Sequence, residues 1–338
     1  MLRYGLAYVE EHSKDGTIQL QKHVMRYPQF FATKAIEDAI GKGVKKGVIW
    51  HTQGSGKTAL SYFNIRYLTN YFSKQEIVPQ FYFVVDRLDL ADQATREFTK
   101  RGLKVKRIDR PQELNEKHDA YQVAVVNIQK FKDNSDLTDH SGYDLNRQNI
   151  YFIDEAHRSY NEKGSSLPNL YNADKNAIKI ALTGTPLITY KKDGKTKESH
   201  ATTRDIFGDY IHKYYYNQSI DDGFTLRLMR EDIETSYKET LQTINEEILR
   251  GDLSKDDIFA HPRYVSPMLD FILEDFNRAR DVIFDDDSIG GMIVCDSSKQ
   301  AREIEKQLEE RRSRGETNIT SALILHDEGD KEYKKDRV

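Results

Sequence analysis

The chain has 338 residues, with 51 Lys or Arg against 55 Asp or Glu, and a net charge of −4. This balance excludes a histone-like protein whose whole surface binds nucleic acid. A hydrophobic share of 38% excludes wholesale disorder, and the length suits about two domains. The longest apolar run, Phe81–Val85, is far shorter than the ~20 residues of a membrane-spanning helix.

Cysteine content and charge distribution narrow the class of protein further. Cys295 is the single cysteine, which excludes a disulfide framework, and no basic-then-apolar leader opens the chain. We therefore expect a cytoplasmic protein with no membrane segment. Residues 1–215 contain 33 basic and 26 acidic side chains, whereas residues 216–338 contain 18 and 29. A shift of this size is typical of a change of domain.

Short apolar segments alternate with helix-like patterns over most of the first two thirds of the chain. The predicted strands are Gly47–Trp50, Phe81–Val85, Val123–Asn127, Ile150–Ile153 and Ile178–Leu182. Helical periodicity predicts Lys57–Tyr71 and Leu90–Lys100 between them. Nearly continuous apolar strands are typical of a parallel sheet covered by helices on both faces. We predict an α/β fold, a doubly wound parallel sheet, for residues 21–215, after a lead-in of residues 1–20.

The last third of the chain has a different pattern. Residues 216–285 predict a helical connector with helices at Ser236–Arg250 and Pro267–Ile283. From residue 286 to 338 the pattern changes again. A strand at Gly291–Cys295, a helix at Lys299–Arg312 and a strand at Ser321–Leu325 predict the start of a second α/β domain.

The segment HTQGSGKT follows a predicted strand and precedes a predicted helix, which is the context of a phosphate-binding loop. Glycines let backbone N–H groups surround a phosphate at the positive end of the helix dipole. Lys57 would reach the β- and γ-phosphates, and the Thr58 hydroxyl would bind Mg²⁺. The candidate ATP-binding residues of the loop are Gln53, Gly54, Ser55, Gly56, Lys57 and Thr58. His51 stands where the strict pattern has a glycine, and Leu60 breaks the dinucleotide-binding pattern.

Two adjacent carboxylates follow the predicted strand Ile150–Ile153, in the segment Asp154-Glu155-Ala156-His157. Ligands of an open α/β sheet bind beyond the carboxyl ends of its strands. Asp154 is suited to bind Mg²⁺ as a hard oxygen ligand. Glu155 would orient or deprotonate the attacking water. We therefore predict Lys57, Asp154, Glu155 and His157 as catalytic residues, with Thr58 and Asp154 as the metal ligands.

The segments HTQGSGKT and DEAH together resemble the motifs of superfamily 2 helicases and translocases, with RecA-like domains. Three further segments fall where that family has motifs: VVDRLDLADQ after Phe83, NIQKF from Asn127, and LTGTP from Leu182. RYPQFFA resembles the glutamine motif, which implies that Gln29 contacts adenine. The combination is similar to the motor (HsdR-type) subunits of type I restriction enzymes.

This resemblance implies an ATP-dependent, Mg²⁺-requiring translocase on double-stranded DNA that works with methyltransferase and specificity subunits. Such motors contact the phosphate backbone, independently of sequence. The implied DNA-coupling residues are Arg87, Gln93, Gln129, Lys130, Thr183 and Thr185. The family's nuclease domain and arginine finger have no counterpart in the sequence. We therefore expect this chain alone to hydrolyse ATP poorly and not to cut DNA.

Three alternatives remain open from the sequence. The chain could be another superfamily 2 ATPase, such as a type III restriction or repair helicase. A GTPase or a small-molecule kinase would also have a phosphate-binding loop, but the Asn-Lys-x-Asp motif of GTPases is absent and a kinase leaves the other motifs unexplained. The third alternative is a nucleotide-binding module without activity of its own.

Overall fold

The computed structural model describes residues 3–12, 17–110, 113, 121–128, 146–156, 174, 176–188, 202–228, 238–239, 241–243, 245–246, 258–286 and 288–325. Contacts between Cα atoms divide the chain into two units, Met1–Leu228 and Met229–Val338. Each unit is described by itself.

The first unit is built on a seven-stranded parallel sheet in the order β5-β6-β4-β7-β8-β3-β9. The strands are β3 (Lys46–His51), β4 (Val78–Val85), β5 (Val105–Ile108), β6 (Val123–Asn127), β7 (Arg147–Ile153), β8 (Ile178–Thr183) and β9 (Tyr210–Tyr214). The prediction of an α/β parallel sheet is confirmed. The sheet also contains β5 and β9, two strands that the sequence analysis did not predict.

Helices cover both faces of this sheet. They are α1 (Tyr27–Gly41), α2 (Lys57–Ser73), α3 (Leu88–Lys100), α4 (Thr203–Phe207) and α5 (Tyr216–Asp221). Along β4, Phe81 and Phe83 pack with residues of α1, α2 and α3, whereas Tyr82 and Val84 pack on the opposite face with Phe207 of α4. Because both faces are buried, every position of this part of β4 is apolar, which explains its continuous hydrophobic run.

An antiparallel hairpin precedes the sheet and replaces the predicted lead-in. Its strands are β1 (Leu6–His12) and β2 (Ile18–Val24), and Leu6 pairs with Val24. Ala7 and Val9 are buried, and the Arg66 guanidinium of α2 donates a hydrogen bond of 2.7 Å to the Leu6 carbonyl. Alternate residues of β1 therefore fix the hairpin to the first unit.

The second unit contains two packed helices, α6 (Pro262–Arg278) and α7 (Ser298–Ser313), with a π-helix at Ala279–Phe284 after α6. The contact is apolar and is formed by Val265, Leu269, Ile304 and Leu308. The predicted helix Lys299–Arg312 is confirmed as α7. The predicted helix Ser236–Arg250 lies largely outside the described residues.

Three predictions for the second unit are wrong in whole or in part. The helix predicted from Pro267 begins at Pro262, where a proline at the first helical position costs no hydrogen bond, so Pro267 lies inside α6. The segments Gly291–Cys295 and Ser321–Leu325 are not strands. A strand requires ladder hydrogen bonds to a neighbour, and neither segment belongs to a sheet of the described residues; Met292 is 86% exposed.

Candidate nucleotide-binding site

A glycine-containing loop connects β3 to α2, at the centre of the predicted site. Gly54 and Gly56 have φ angles of 77° and 79°, a left-handed conformation that a side chain disfavours. The Thr52 N–H donates to the Tyr214 carbonyl of β9 over 3.0 Å, and the Ser55 N–H donates to the Thr52 carbonyl over 3.3 Å. The loop therefore has the tight turn that the sequence predicts, with its first residues bound to β9.

Gln29 of α1 is buried beneath this loop. Its amide nitrogen donates to the carbonyls of Ser55 and Gly56, both over 3.1 Å, and its amide oxygen accepts from the Arg26 N–H over 3.0 Å. A Cβ atom at Gly56 would lie 2.6 Å from the Gln29 Nε2 atom. Gln29 thus holds the loop through both amide hydrogens, and its predicted contact with adenine stays a prediction.

Lys57 and Thr58 form the first turn of α2, which has 17 residues and begins after Gly56. Both side chains are partly exposed, as groups that meet a ligand must be. The first turn of a helix of this length presents unpaired N–H groups and a partial positive charge. The loop and the helix therefore present cationic and hydrogen-bond-donating groups to one place, which suits a phosphate.

The acidic pair follows β7 and is fixed by backbone hydrogen bonds to both neighbouring strands. The Asp154 N–H donates to the Val84 carbonyl of β4 over 2.9 Å, and the Ala156 N–H donates to the Leu182 carbonyl of β8 over 3.1 Å. Glu155, between them, has a φ of 48°, which is uncommon outside glycine and stores strain of about 1–3 kcal/mol. The backbone position of both acidic residues is therefore set by the sheet.

Electrostatics connect the acidic pair to the loop. Burial raises the pKa of Asp154 to about 6; the positive charge of Lys57 opposes this rise and the negative charge of Glu155 adds to it. The Glu155 N–H also donates to Asp154 Oδ1 over 3.0 Å, which favours the ionised form. A desolvated carboxylate within reach of a lysine charge is a suitable ligand for a divalent cation. The Asp154 carboxylate oxygens and the Thr58 hydroxyl are the hard donors that Mg²⁺ prefers, so these two residues fit the metal.

The loop after β8 touches the phosphate loop directly. The Trp50 indole N–H donates to the Gly184 carbonyl over 3.2 Å. A Cβ atom at Gly184 would lie 3.1 Å from the Gln53 backbone nitrogen, so a side chain at this position would press the two backbones apart by a few tenths of an ångström. Thr183 is buried, and its hydroxyl accepts from the Thr185 N–H over 3.1 Å. Movement of either loop therefore affects the other.

Residues of β9, a strand not predicted from the sequence, line the entrance to the loop. The His51 ring is buried and its Nε2 atom lies 2.8 Å from His212 Nδ1. Burial is the main cause that lowers the pKa of His51 to about 3, with smaller effects of His212 and Lys57. The pattern YIHKY alternates aromatic or imidazole residues with others, and this period-2 signal could have revealed β9.

The predicted DNA-coupling residues are placed differently from one another. Arg87 and Gln93 are exposed, the first immediately before α3 and the second within it. Thr185 is exposed, whereas Thr183 is buried and acts on the loop shape. Three predicted site residues lie outside the described part of the chain, namely Gln129, Lys130 and His157. The DNA roles of all these residues stay predictions.

Among the described residues, no group of three or more His, Cys, Asp or Glu side chains converges as a metal cluster. No helix in the same part of the chain has the length and apolar character needed to cross a membrane.

Comparison with known proteins identifies relatives for most of the chain. The family model described as SWI2/SNF2 ATPase matches residues 28–257. The chain is 28% identical over 284 residues to the type I restriction enzyme SsaAORF53P endonuclease subunit of Staphylococcus saprophyticus, covering 80% of the chain and 29% of the relative. It is 32% identical over 229 residues to the SauCOLORF180P endonuclease subunit of Staphylococcus aureus, covering 64% and 23%. These relatives confirm the predicted resemblance to type I restriction subunits.

A solved structure has the same fold at low sequence identity. It is the ATP-dependent Type ISP restriction-modification enzyme LlaBIII bound to DNA, with a TM-score of 0.54 and 13% identity. The match covers 90% of this chain and 23% of that protein. The chain thus spans less than a third of the length of the curated relatives described above.

Proposed function

Because the chain belongs to the SWI2/SNF2 ATPase family, we propose that it is the ATP-hydrolysing motor part of a type I restriction subunit. The observation that carries this proposal is that the loop leading to Lys57 follows β3 and Asp154 follows β7, two parallel strands separated in the sheet by β8 alone, and that the charge of Lys57 acts on Asp154. Mg·ATP is the ligand that these opposite charges suit. The bound metal would neutralise phosphate charge.

The residues of this chain divide the work of hydrolysis. Lys57 and the first N–H groups of α2 hold the β- and γ-phosphates, and Thr58 and Asp154 hold Mg²⁺. Glu155 accepts a proton from the attacking water or orients it. Glu155 is fixed between β4 and β8 by its neighbours' backbone hydrogen bonds, so it is already positioned before a nucleotide arrives. Hydrolysis is therefore assigned to residues at the carboxyl end of β7, an interior strand of the sheet.

Translocation along double-stranded DNA is the second part of the proposal. Arg87 is exposed at the N-terminal end of α3, where a cation and free N–H groups suit a backbone phosphate. The basic excess of residues 1–215 favours the same polyanion. The contact between Gly184 and Gln53 links nucleotide occupancy to the loop after β8. The relatives' names and the DNA in the LlaBIII structure agree with this role.

The cellular context follows from the same family. We propose that the protein works in the cytoplasm with methyltransferase and specificity subunits, which would direct a sequence-independent motor to its sites. Binding to these subunits is tested by co-purification with them.

The hydrolysis proposal is tested with three variants of the chain. Fluorescent Mg·ATP is titrated into the wild type, Lys57→Ala and Glu155→Gln. We expect Lys57→Ala to lose binding and Glu155→Gln to keep it, because only the first removes a phosphate contact. Phosphate release is then measured with duplex DNA, and Glu155→Gln should release none. Equal Mg·ATP affinity in the wild type and Lys57→Ala would refute the site.

A further inference from the structure

A pair of imidazoles, with His51 buried and His212 partly buried, joins the phosphate loop to the neighbouring strand. His51 ends β3 and His212 lies in the middle of β9, and the distance between His51 Nε2 and His212 Nδ1 is 2.8 Å. The two rings have centroids 5.0 Å apart at an angle of 61°. This distance is that of a hydrogen bond, so one ring donates and the other accepts.

This hydrogen bond is the anchor of the His51 side chain. The His51 ring is fully buried, and its second nitrogen, Nδ1, has no hydrogen-bond partner among the described residues. A buried imidazole with one bonded nitrogen depends on that bond, because no water replaces it when it breaks. Burial lowers the pKa values of both His51 and His212, which agrees with neutral rings that share one proton between the two nitrogens.

Strand β9 holds the loop at two consecutive residues. The side chain of His51 bonds to His212, and the backbone N–H of Thr52 bonds to the Tyr214 carbonyl over 3.0 Å. Both attachments come just before Gln53, the residue that precedes Gly54. The strict phosphate-loop pattern has a glycine at position 51, which could not form the first of these bonds. Because position 51 is a histidine, the start of the loop is also attached to β9 through a side chain.

We propose that His212 is a positioning residue for nucleotide binding, which acts through the His51 ring on the conformation of the phosphate loop. It does not touch the nucleotide. Its effect is to fix where the loop's backbone begins, so that the N–H groups after Thr52 are arranged before a phosphate arrives. The proposal rests on the proposed binding of Mg·ATP and adds a residue outside the sequence motifs to that site.

The test compares substitutions at His212 in the whole chain. His212→Leu fills the position with an apolar side chain and removes the hydrogen bond to His51. His212→Gln places its amide group one bond further from the backbone than Nδ1. His212→Asn places an amide nitrogen near the position of Nδ1. Lys213→Leu is the matched control, since Lys213 is adjacent in β9 and exposed. Affinity is measured with fluorescent Mg·ATP and, by competition, with Mg·pyrophosphate, which has no base.

We expect His212→Leu and His212→Gln to lower the affinity for both ligands about tenfold, the factor that corresponds to the loss of one hydrogen bond. His212→Asn should stay within about twofold of the wild type by the same scale, and Lys213→Leu should not differ from it. A purely structural role would lower the melting temperature without changing the affinity of the folded protein well below that temperature. An equal loss of affinity for pyrophosphate, which has no base, would assign the effect to the phosphate loop.

Three outcomes separate the possible failures. If the wild type binds Mg·ATP, Lys57→Ala does not, and the His212 variants bind like the wild type, the positioning role is wrong while the site stands. If His212→Leu does not fold, the comparison of His212→Gln with His212→Asn decides. Equal nucleotide affinities of these two variants would overturn the positioning role of His212. If the wild type and Lys57→Ala bind equally weakly, the proposed function itself fails.

Discussion

Substitution of Gly56 by alanine tests how α1 supports the phosphate loop. At φ = 79° an alanine costs about 1–2 kcal/mol of left-handed strain. Its Cβ atom would also lie 2.6 Å from Gln29 Nε2, so the amide must move and weaken its two 3.1 Å hydrogen bonds to the loop. Each of these bonds is worth about 0.5–1.5 kcal/mol. We expect Gly56→Ala to lower the free energy of unfolding by about 2–5 kcal/mol from these two costs together.

Gly54→Ala is the matched control for this substitution. Gly54 has a φ of 77°, and nothing lies within 4 Å of the position of its Cβ atom, so only the strain of about 1–2 kcal/mol applies. Urea unfolding followed through Trp50, the single tryptophan, reports on the first unit. In a Gln29→Ala background the cost of Gly56→Ala should fall to that of Gly54→Ala. Equal costs for the two glycines in the wild-type background would refute the role assigned to Gln29.

Three other substitutions give separate expectations. The folded-state pKa of His51 is about 3, below its unfolded value of about 6.5, so its contribution to stability is intact above pH 6.5 and lost towards pH 3, at up to about 1.4 kcal/mol per pH unit. His51→Gln should flatten this part of a urea-unfolding series against pH, and an unchanged slope would contradict the assignment. The folded-state pKa of Asp154 is raised to about 6, so its ionised form destabilises the fold above that pH. Asp154→Asn should therefore raise the free energy of unfolding at pH 8 without Mg²⁺ by about 1–3 kcal/mol and abolish Mg²⁺-dependent phosphate release; a loss of stability in urea would be the opposite result. Thr183→Val removes the acceptor of the Thr185 N–H and should cost about 0.5–1.5 kcal/mol, whereas no change in the urea midpoint would show that this bond contributes nothing.

The sequence predicts the central part of the sheet well because its strands are buried on both faces. Val123–Asn127 is predicted at its observed bounds, and Lys57 begins its helix as the glycines require. The hairpin and β9 have polar residues among their apolar ones, since these strands are less buried: β2 is exposed at all but one position, and β9 is fully buried only at Tyr214. A search for continuous apolar runs misses such strands, and the period-2 pattern is the signal that identifies them.

The chemistry-bearing motifs could be identified from sequence, but their supports could not. Nothing in the spacing of Gln29 and Gly56 indicates that the amide of one lies against the backbone of the other. The pairing of His51 with His212 joins residues 161 positions apart and depends on β9 lying beside β3. Such contacts are set by the order of strands in the sheet, which local patterns do not encode. The segment Gly291–Cys295 shows the opposite error, a strand predicted where none forms, because strand propensity alone does not supply a neighbouring strand.

Phosphate release from Mg·ATP with and without linear duplex DNA is the most direct test of the proposed motor. It is measured in parallel for the wild type and Glu155→Gln, at nucleotide concentrations that saturate both. We predict that the wild type releases phosphate slowly, as expected for this chain alone, and that duplex DNA accelerates this slow release. Glu155→Gln should bind the nucleotide and release no phosphate. Release by Glu155→Gln at the wild-type rate, or a wild-type rate that duplex DNA does not change, would contradict a DNA-driven ATPase at this site.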